Sequence, residues 1–329
     1  MLKFIAKRVL LFIPVLLGVL FVVFTINYFT PADPVNAILG YNITQEQYDA
    51  KYEQLGLDDP FFVQFYNYVK GVVTEFDFGT SYQNKRPVSV QIAERLGVTI
   101  KLGAIGLAIT VIIGIPFGIV SATRQNSPLD YTVTVLSLFF ASLPNFWLAL
   151  MLIILLSLKA GILPATGINS WKGWIMPCIT LGMTPLAAVT RMTRSSMLEV
   201  IRQDYIRTAY AKGLTDREVI WKHALKNAMI PVVTTVGYMA SMIFGGAVVI
   251  ESIFSIPGLG MLMQTAITNA DYPMVLGSVL VVSFFVCVIN LLVDLLYGFL
   301  DPRIKAQYTG GKTKKRRAGA APAEGGAAA

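Results

Sequence analysis

Residues 204–231 read DYIRTAYAKGLTDREVIWKHALKNAMIP, a charged stretch held between two long apolar runs. The stretch carries its own punctuation. Residues 200–212 contain neither Gly nor Pro and read as helix. Gly213 follows, the residue type that tolerates a left-handed position just past a helix end. Thr215 and Glu218 fit the S/T-x-x-E capping box, with Thr215 as N-cap and Glu218 three residues on. Leu214 before the cap and Val219 after it form the pair expected of a hydrophobic staple. The second helix is expected to run to about Asn227. Pro231 biases Ile230 away from the helical region, so a break is expected there. The stretch therefore reads as helix, sharp turn, helix: a bent, basic hairpin built to touch something soluble. The plain alternative is a solvated connecting loop, and the capping detail weighs against it.

The surrounding chain is that of a membrane protein. Of its 329 residues, 55% are hydrophobic and 14% charged, with a mean hydropathy of +0.62. Soluble domains carry about 25% charged residues. The net charge of +8 invites a nucleic-acid reading, but no basic patch interleaved with aromatics accompanies it. Cys178 and Cys287 sit inside apolar runs as small hydrophobes, not as a disulfide or metal pair. His223 is the single histidine; with no Cys or His nearby, a zinc site is not expected.

Six spans are expected. Residues 8–28 form the first, preceded by Lys3, Lys7 and Arg8. The run is longer than the 7–15-residue core of a signal peptide, and the TPADP exit at 30–34 is no cleavage site. Residues 30–96 carry nine acids and five bases and read as a small non-membrane subdomain with short helices at 45–55, after the cap Thr44, and at 61–73. Residues 98–122 form the second span, with a kink expected at GIPFG (114–118). Residues 132–158 form the third, kinked at Pro144-Asn145, and 174–192 the fourth. In the fifth, 230–250, the small residues Ser241, Gly245, Gly246 and Ala247 are expected to allow close helix contact. The sixth is 274–300. The Gly/Ala/Lys-rich tail is expected to be disordered.

Positive charge orients these spans. With the N-terminus in the cytoplasm, 19 of the 27 Lys and Arg residues fall on the cytoplasmic side. The acidic 30–96 unit falls outside, and the hairpin and both termini inside. No ionisable residue stands near the middle of a span; Lys101 and Asp294 are within reach of the interfaces. Ion-coupled carriers place an acid or His at midplane, so the secondary-carrier or channel alternative is weakened. A membrane scaffold without transport is the third reading.

Among smaller motifs, GGKT at 310–313 ends like a phosphate-binding P-loop, but Ala306 stands where the first Gly is required and no strand precedes it. The chain thus shows no ATPase of its own. The KTKKRR run nearby reads as a polybasic or solubilising tail. IPGLG at 256–260 suggests a type II turn with Gly258 at positive φ. Phe254, Leu259 and Met261 are placed to tuck back into the membrane, either as a bare turn or as a re-entrant gate. No Ser/His/Asp, Cys/His or paired-carboxylate set suggests catalysis.

Taken together, the motifs resemble the integral membrane permease subunit of bacterial ABC importers for dipeptides, oligopeptides and nickel. Those carrying the resemblance are PADPV (31–35), LGLDDP (55–60), DFGTS (77–81), GIPFG, RMTRSSMLEV (191–200), DYIRTAYAKGL (204–214), HALKNAMIP (223–231), ESIFSIPGLG (251–260), DYP (271–273) and LLVDLLYGFLDPRI (291–304), in order over residues 1–305. The resemblance implies an all-α type I importer permease. It has a first helix at 1–29, an external subdomain at 30–96, a permease core at 97–302 with a coupling loop at 199–229, and a basic tail at 303–329. It implies that Arg207, Thr208, Ala209, Ala211, Lys212, Gly213, Leu214, Thr215 and Glu218 form the loop that docks on an ATPase. Thr208, Ala209, Lys212 and Leu214 are expected to make the contact. The general Glu-Ala-Ala importer motif meets Arg207, Thr208 and Ala209 here, so an acid is absent at 207; the peptide-permease version, Tyr-x-Arg-Thr-Ala-x-Ala-Lys-Gly, fits.

Glu251, Phe254, Pro257, Gly258 and Gly260 are expected at an external gate facing the binding protein. Pro116, Pro144, Asn145, Ser241 and Met242 are expected along the pathway. The implied partners are a homologous second permease, two cytosolic ATP-binding subunits, an external substrate-binding protein and the lipid bilayer, with no nucleic acid. ATP and Mg would be bound by the ATPases, and no cofactor or metal by this chain. The implied location is the bacterial inner membrane.

Overall fold

The computed structural model describes residues 2–31, 33–40 and 42–300. The P-loop-like GGKT, the basic tail and the DPRI end of the last motif lie outside the described residues. The chain is helical: α1 Leu2–Phe29, α2 Pro34–Leu39, α3 Gln45–Gln54, α4 Phe61–Glu75, α5 Val88–Thr123, α6 Pro128–Ser142, α7 Asn145–Leu152, α8 Ile175–Ile201, α9 Asp204–Ala211, α10 Asp216–Glu218, α11 Leu225–Ile253, α12 Leu259–Thr268 and α13 Tyr272–Leu300. Wider π turns extend α7 over Ile153–Lys159 and join α10 to α11 over Val219–Ala224. Among the described residues, β pairing is confined to one isolated bridge between Thr80 and Pro87.

Among the described residues, five helices are long and apolar enough to cross a membrane, and six spans result if one bent pair is counted as one. That pair is α6 with α7 and its π extension, and the bend is 102°. The kink expected at Pro144-Asn145 is present as this bend. Leu143, before the proline, is extended at φ −83° and ψ 127°, as its steric clash with the proline ring demands. The second span differs from expectation. Its helix starts at Val88, ten residues before the expected 98, and passes through Pro116 unbroken to Thr123. At 36 residues it is about 54 Å long, against an apolar membrane thickness of about 30 Å.

The centre of the molecule is α5 against α8, with α11 on both and α13 on α11 and α1. Glycines let α5 and α8 touch. A Cβ on Gly118 would stand 2.4 Å from the Thr193 Cβ and 2.7 Å from the Thr190 carbonyl, and one on Gly182 would stand 2.8 Å from the Gly106 carbonyl. Polar hydroxyls finish the seam. The Thr110 hydroxyl lies 3.0 Å from the carbonyls of both Gly106 and Gly182, and the Thr190 hydroxyl donates to the Gly114 carbonyl at 3.1 Å. GIPFG is thus a packing motif more than a kink. On α11 the close approach is made by Gly237, where a Cβ would come within 2.1 Å of Val293. Gly245 and Gly246, expected to make it, meet nothing within 4 Å.

Two expected helix ends are also corrected. The break near Pro231 is absent: α11 runs through it from Leu225 to Ile253. A proline in a spanning helix is tolerated where neighbouring contacts hold the turn. Here buried Ala228 does so, its carbonyl taking the Ser196 hydroxyl of α8 at 2.9 Å. Conversely, the helix expected over 200–212 is interrupted at Arg202–Gln203, where Gln203 is extended and begins α9.

Candidate functional site

The hairpin corner is built from two adjacent caps. Gly213 has φ +81°. Its N–H donates to Tyr210 (2.9 Å), and the Leu214 N–H donates to Ala209 (3.4 Å), the paired bonds of a Schellman motif. Thr215 follows at once as N-cap, with both bonds of its capping box to Glu218 formed. Leu214 and Val219 lie in one apolar cluster with Ile119, Ala122, Met197, Ile206, Ala209, Ala224 and Ala228. That cluster seats the corner on the ends of α5, α8 and α11. The Asn227 amide also donates to the Tyr205 hydroxyl at 2.8 Å, tying α9 to α11.

This seating divides the expected contact residues. Ala209 is buried and Leu214 half-buried, both turned toward the chain's own core. Arg207, Thr208, Ala211, Lys212, Gly213 and Thr215 are exposed. Tyr205, Tyr210 and Trp221 widen the open face. Burial, and then the nearby Asp216 carboxylate, push the Tyr210 phenol up.

The Asp130 side of this end was not foreseen. Asp130 is buried beneath Arg194, whose Nε and Nη2 donate to its two carboxylate oxygens at 2.7 and 2.8 Å. The Ser121 hydroxyl and the Asn126 N–H (3.0 Å) also donate to it. The Ser-Pro-x-Asp start of α6 is visible in sequence as a cap; its partner, 64 residues away, is not.

At the other end, the residues expected at an external gate form a buried anchor. Glu251, the last-turn acid of α11, has no exposed surface. Its carboxylate accepts the Thr99 hydroxyl (2.6 Å) and the N–H groups of Gly260 (2.7 Å) and Met261 (3.1 Å). The Leu259 N–H donates to Thr99 in turn, at 2.8 Å. Glu251 thus caps α12, where unpaired N–H groups and the helix dipole favour an anion. The expected type II turn is absent: Gly258 is extended, φ −98° and ψ −175°, and Ser255 takes the positive φ of 50°. Gly258 is needed for room, since a Cβ there would stand 2.4 Å from the Glu251 carboxylate. Phe254, Gly258 and Gly260 are buried in protein, and Pro257 is half-buried.

DFGTS and DYP, far apart in sequence, meet as one junction. The Ser81 hydroxyl and the Tyr82 N–H (3.0 Å) donate to the buried Asp271 carboxylate at the head of α13. Gly79 lies against Pro273. Burial pushes the Tyr82 phenol up, and the Asp271 charge adds to the push. The pathway candidates face different helices: Asn145 accepts from Thr184 on α8 at 2.7 Å, and Ser241 donates to Asn290 on α13 at 2.8 Å. Pro116, Pro144 and Met242 are exposed. Among the described residues, no three His, Cys, Asp or Glu side chains gather as a metal-holding group.

Comparison with known proteins assigns this architecture. Residues 114–306 match the family model described as binding-protein-dependent transport system inner membrane component, and residues 1–103 match the model of that system's membrane component N-terminus. The chain is 42% identical over 333 residues to the dipeptide transport system permease protein DppB of Alkalihalophilus pseudofirmus, covering 93% of this chain and 100% of that one. It is 39% identical over 316 residues to the oligopeptide transport system permease protein AppB of Bacillus subtilis, with coverage of 93% and 100%. An inward-facing structure of the MetNI methionine ABC transporter shares the fold, with a TM-score of 0.54 and 20% identity over 64% of this chain and 97% of that one.

Proposed function

This chain belongs to the family of binding-protein-dependent transport system inner membrane components, and from that premise we propose that it is the pore-forming permease of an ATP-driven importer of peptides or a related small solute such as a nickel chelate. An external binding protein delivers the cargo, a homologous second permease completes the pore, and two cytosolic ATPase subunits dock on the 204–231 hairpin. The N-terminus and the hairpin lie in the cytoplasm. The names of the relatives, a dipeptide and an oligopeptide permease, support the peptide class.

The observation that carries the reading is the corner at Gly213. Its buried face is fused to α5, α8 and α11, and its open face presents Arg207, Thr208, Ala211 and Lys212. A partner pressing on that face moves three spans together. α11 runs unbroken from the hairpin to Glu251, a lever about 40 Å long, so a push at one end reaches the capped loop at the other. ATP-driven closure of the ATPases would swing the hairpins as rigid bodies and alternate the pore between outward- and inward-facing states. The test is affinity isolation of the chain from membranes together with its ATPase. Deleting residues 208–214 is expected to abolish co-isolation and peptide uptake. Uptake that persists without the ATPase overturns the proposal.

A further inference from the structure

We infer that α4, in the segment expected to be a non-membrane subdomain, is a bilayer-surface helix whose apolar stripe of Phe62, Tyr66 and Val73 lies in a lipid leaflet. At 3.6 residues per turn, Tyr66 and Val73 fall about 40° and 20° from Phe62 around the helix axis. All three are open, at 72%, 64% and 68% exposure, and the cap residue Phe76 adds a fourth large apolar side chain at 77%. The opposite face is occupied: the Gln64 amide donates to the carbonyls of Leu57 and Asp59 at 3.2 and 2.8 Å. A one-sided stripe of exposed aromatic and aliphatic residues marks an interaction surface. In a helix with a polar opposite face it is the pattern of a helix lying in the membrane interface.

Depth selects the bilayer as the occupant. Arg8 of α1 pairs with Asp294 of α13 at 3.0 Å, the first charge pair beside the apolar run, and serves as the near boundary of the hydrocarbon. From there Phe21, Phe24 and Tyr28 lie about 20, 24 and 30 Å along α1, against a hydrocarbon thickness of about 30 Å. Phe61 meets the rings of Phe21, Phe24 and Tyr28 at 5.8, 5.5 and 5.1 Å, and Phe65 meets Phe21 and Phe24 at 5.5 and 5.4 Å. Phe24 also meets Tyr68 at 6.4 Å. One ring of α1 thus touches about 10 Å of α4, so the two helices cross. α4 therefore lies across α1, up to about 10 Å inside the far boundary, the depth of an interfacial helix. On α1, Phe21, Val22 and Ile26 are exposed as well. Lys70, exposed and about 80° from Phe62, borders the stripe where a lysine reaches headgroup phosphates.

The test is site-directed spin labelling of the full chain, isolated with its associated subunits and reconstituted in phosphatidylethanolamine–phosphatidylglycerol vesicles. On a Cys178→Ala, Cys287→Ala background, nitroxides are placed at Phe62→Cys, Tyr66→Cys and Val73→Cys, with Asn67→Cys and Thr74→Cys as off-stripe references. Greater accessibility to oxygen than to a nickel chelate at 62, 66 and 73, reversed at 67 and 74, is expected. Chelate accessibility along the whole helix overturns the inference, and so does exclusion of both reagents from the stripe, which reports a protein partner covering it. A Phe62→Trp variant gives a second reading: quenching of the added tryptophan by brominated lipid is expected, and its absence overturns the placement.

Discussion

The carboxylate of Glu251, in the last turn of α11, accepts the backbone N–H of Gly260 in the first turn of α12 at 2.7 Å. One spanning helix therefore ends by capping the short helix that follows it, with Thr99 of α5 as a third attachment. Truncating Glu251 to Ala would leave the Gly260 and Met261 N–H groups unpaired in a buried place, at about 1–3 kcal/mol each. Glu251→Gln keeps an acceptor for those groups and is expected to retain most of the stability. Thermal unfolding in detergent should rank wild type, Glu251→Gln and Glu251→Ala in that order. Equal midpoints for the two variants would count against the capping role.

How much of this was legible followed from how local each interaction is. The cap at Thr44, the capping box at Thr215 and the left-handed corner at Gly213 depend on residues within a few positions, and all three are present. The role of Glu251 was hidden because its cap reaches across a loop to Gly260, nine residues on, and its third partner Thr99 is 152 residues away. The Asp271 junction was hidden for the same reason, since Ser81 is 190 residues away. Proline was legible at one site and misleading at the other. Pro231 was read as a break because the local rule ignores a helix held from its neighbour by Ser196, while the kink read at Pro144 is present as a bend of 102°. The exposed stripe on α4 was missed because an acidic segment suggested water, and charge balance over sixty residues says nothing about one face of one helix.

The Asp130–Arg194 pair joins the start of α6 to α8 with two parallel bonds. Lysine cannot reproduce that fork. Arg194→Ala strands a buried carboxylate, expected to cost about 3 kcal/mol, the low end for a broken buried pair, because the arginine side chain is 29% exposed. The double variant Asp130→Asn, Arg194→Ala removes the stranded charge and should be more stable than Arg194→Ala alone. A double-mutant cycle on unfolding midpoints reads this coupling, and strict additivity would show that the two side chains act independently.

At Gly213 the space is open but the backbone is left-handed: an added Cβ meets nothing within 4 Å, yet φ is +81°. The cost of substitution is therefore conformational, about 1–2 kcal/mol for an ordinary side chain. Asn adopts this region more readily than other residues. Gly213→Asn is expected to preserve ATPase co-isolation and Gly213→Val to weaken it, with thermal stability following the same order. Equal loss in both would point to contact with the glycine surface itself, and equal retention would remove the corner from the docking account.

Gly118 and Gly245 separate packing inside this chain from surface left for another. A Cβ on Gly118 would collide with the Thr193 Cβ and the Thr190 carbonyl. A backbone atom is among the obstacles, so α5 and α8 would have to part. Gly118→Ala is expected to lower the unfolding midpoint and the yield of folded chain. Gly245 lies exposed on α11 with nothing near its Cβ position. There Gly245→Ala should stabilise the isolated chain slightly, by up to about 1 kcal/mol, because alanine favours helix over glycine. Unfolding of the isolated chain and solute uptake by the whole importer are then measured on the same variants. Impaired uptake by Gly245→Ala with an undiminished midpoint would mark that face of α11 as surface used by a second chain or by the cargo. Loss of the midpoint itself would mean the helix packs more closely there than its open Cβ position implies.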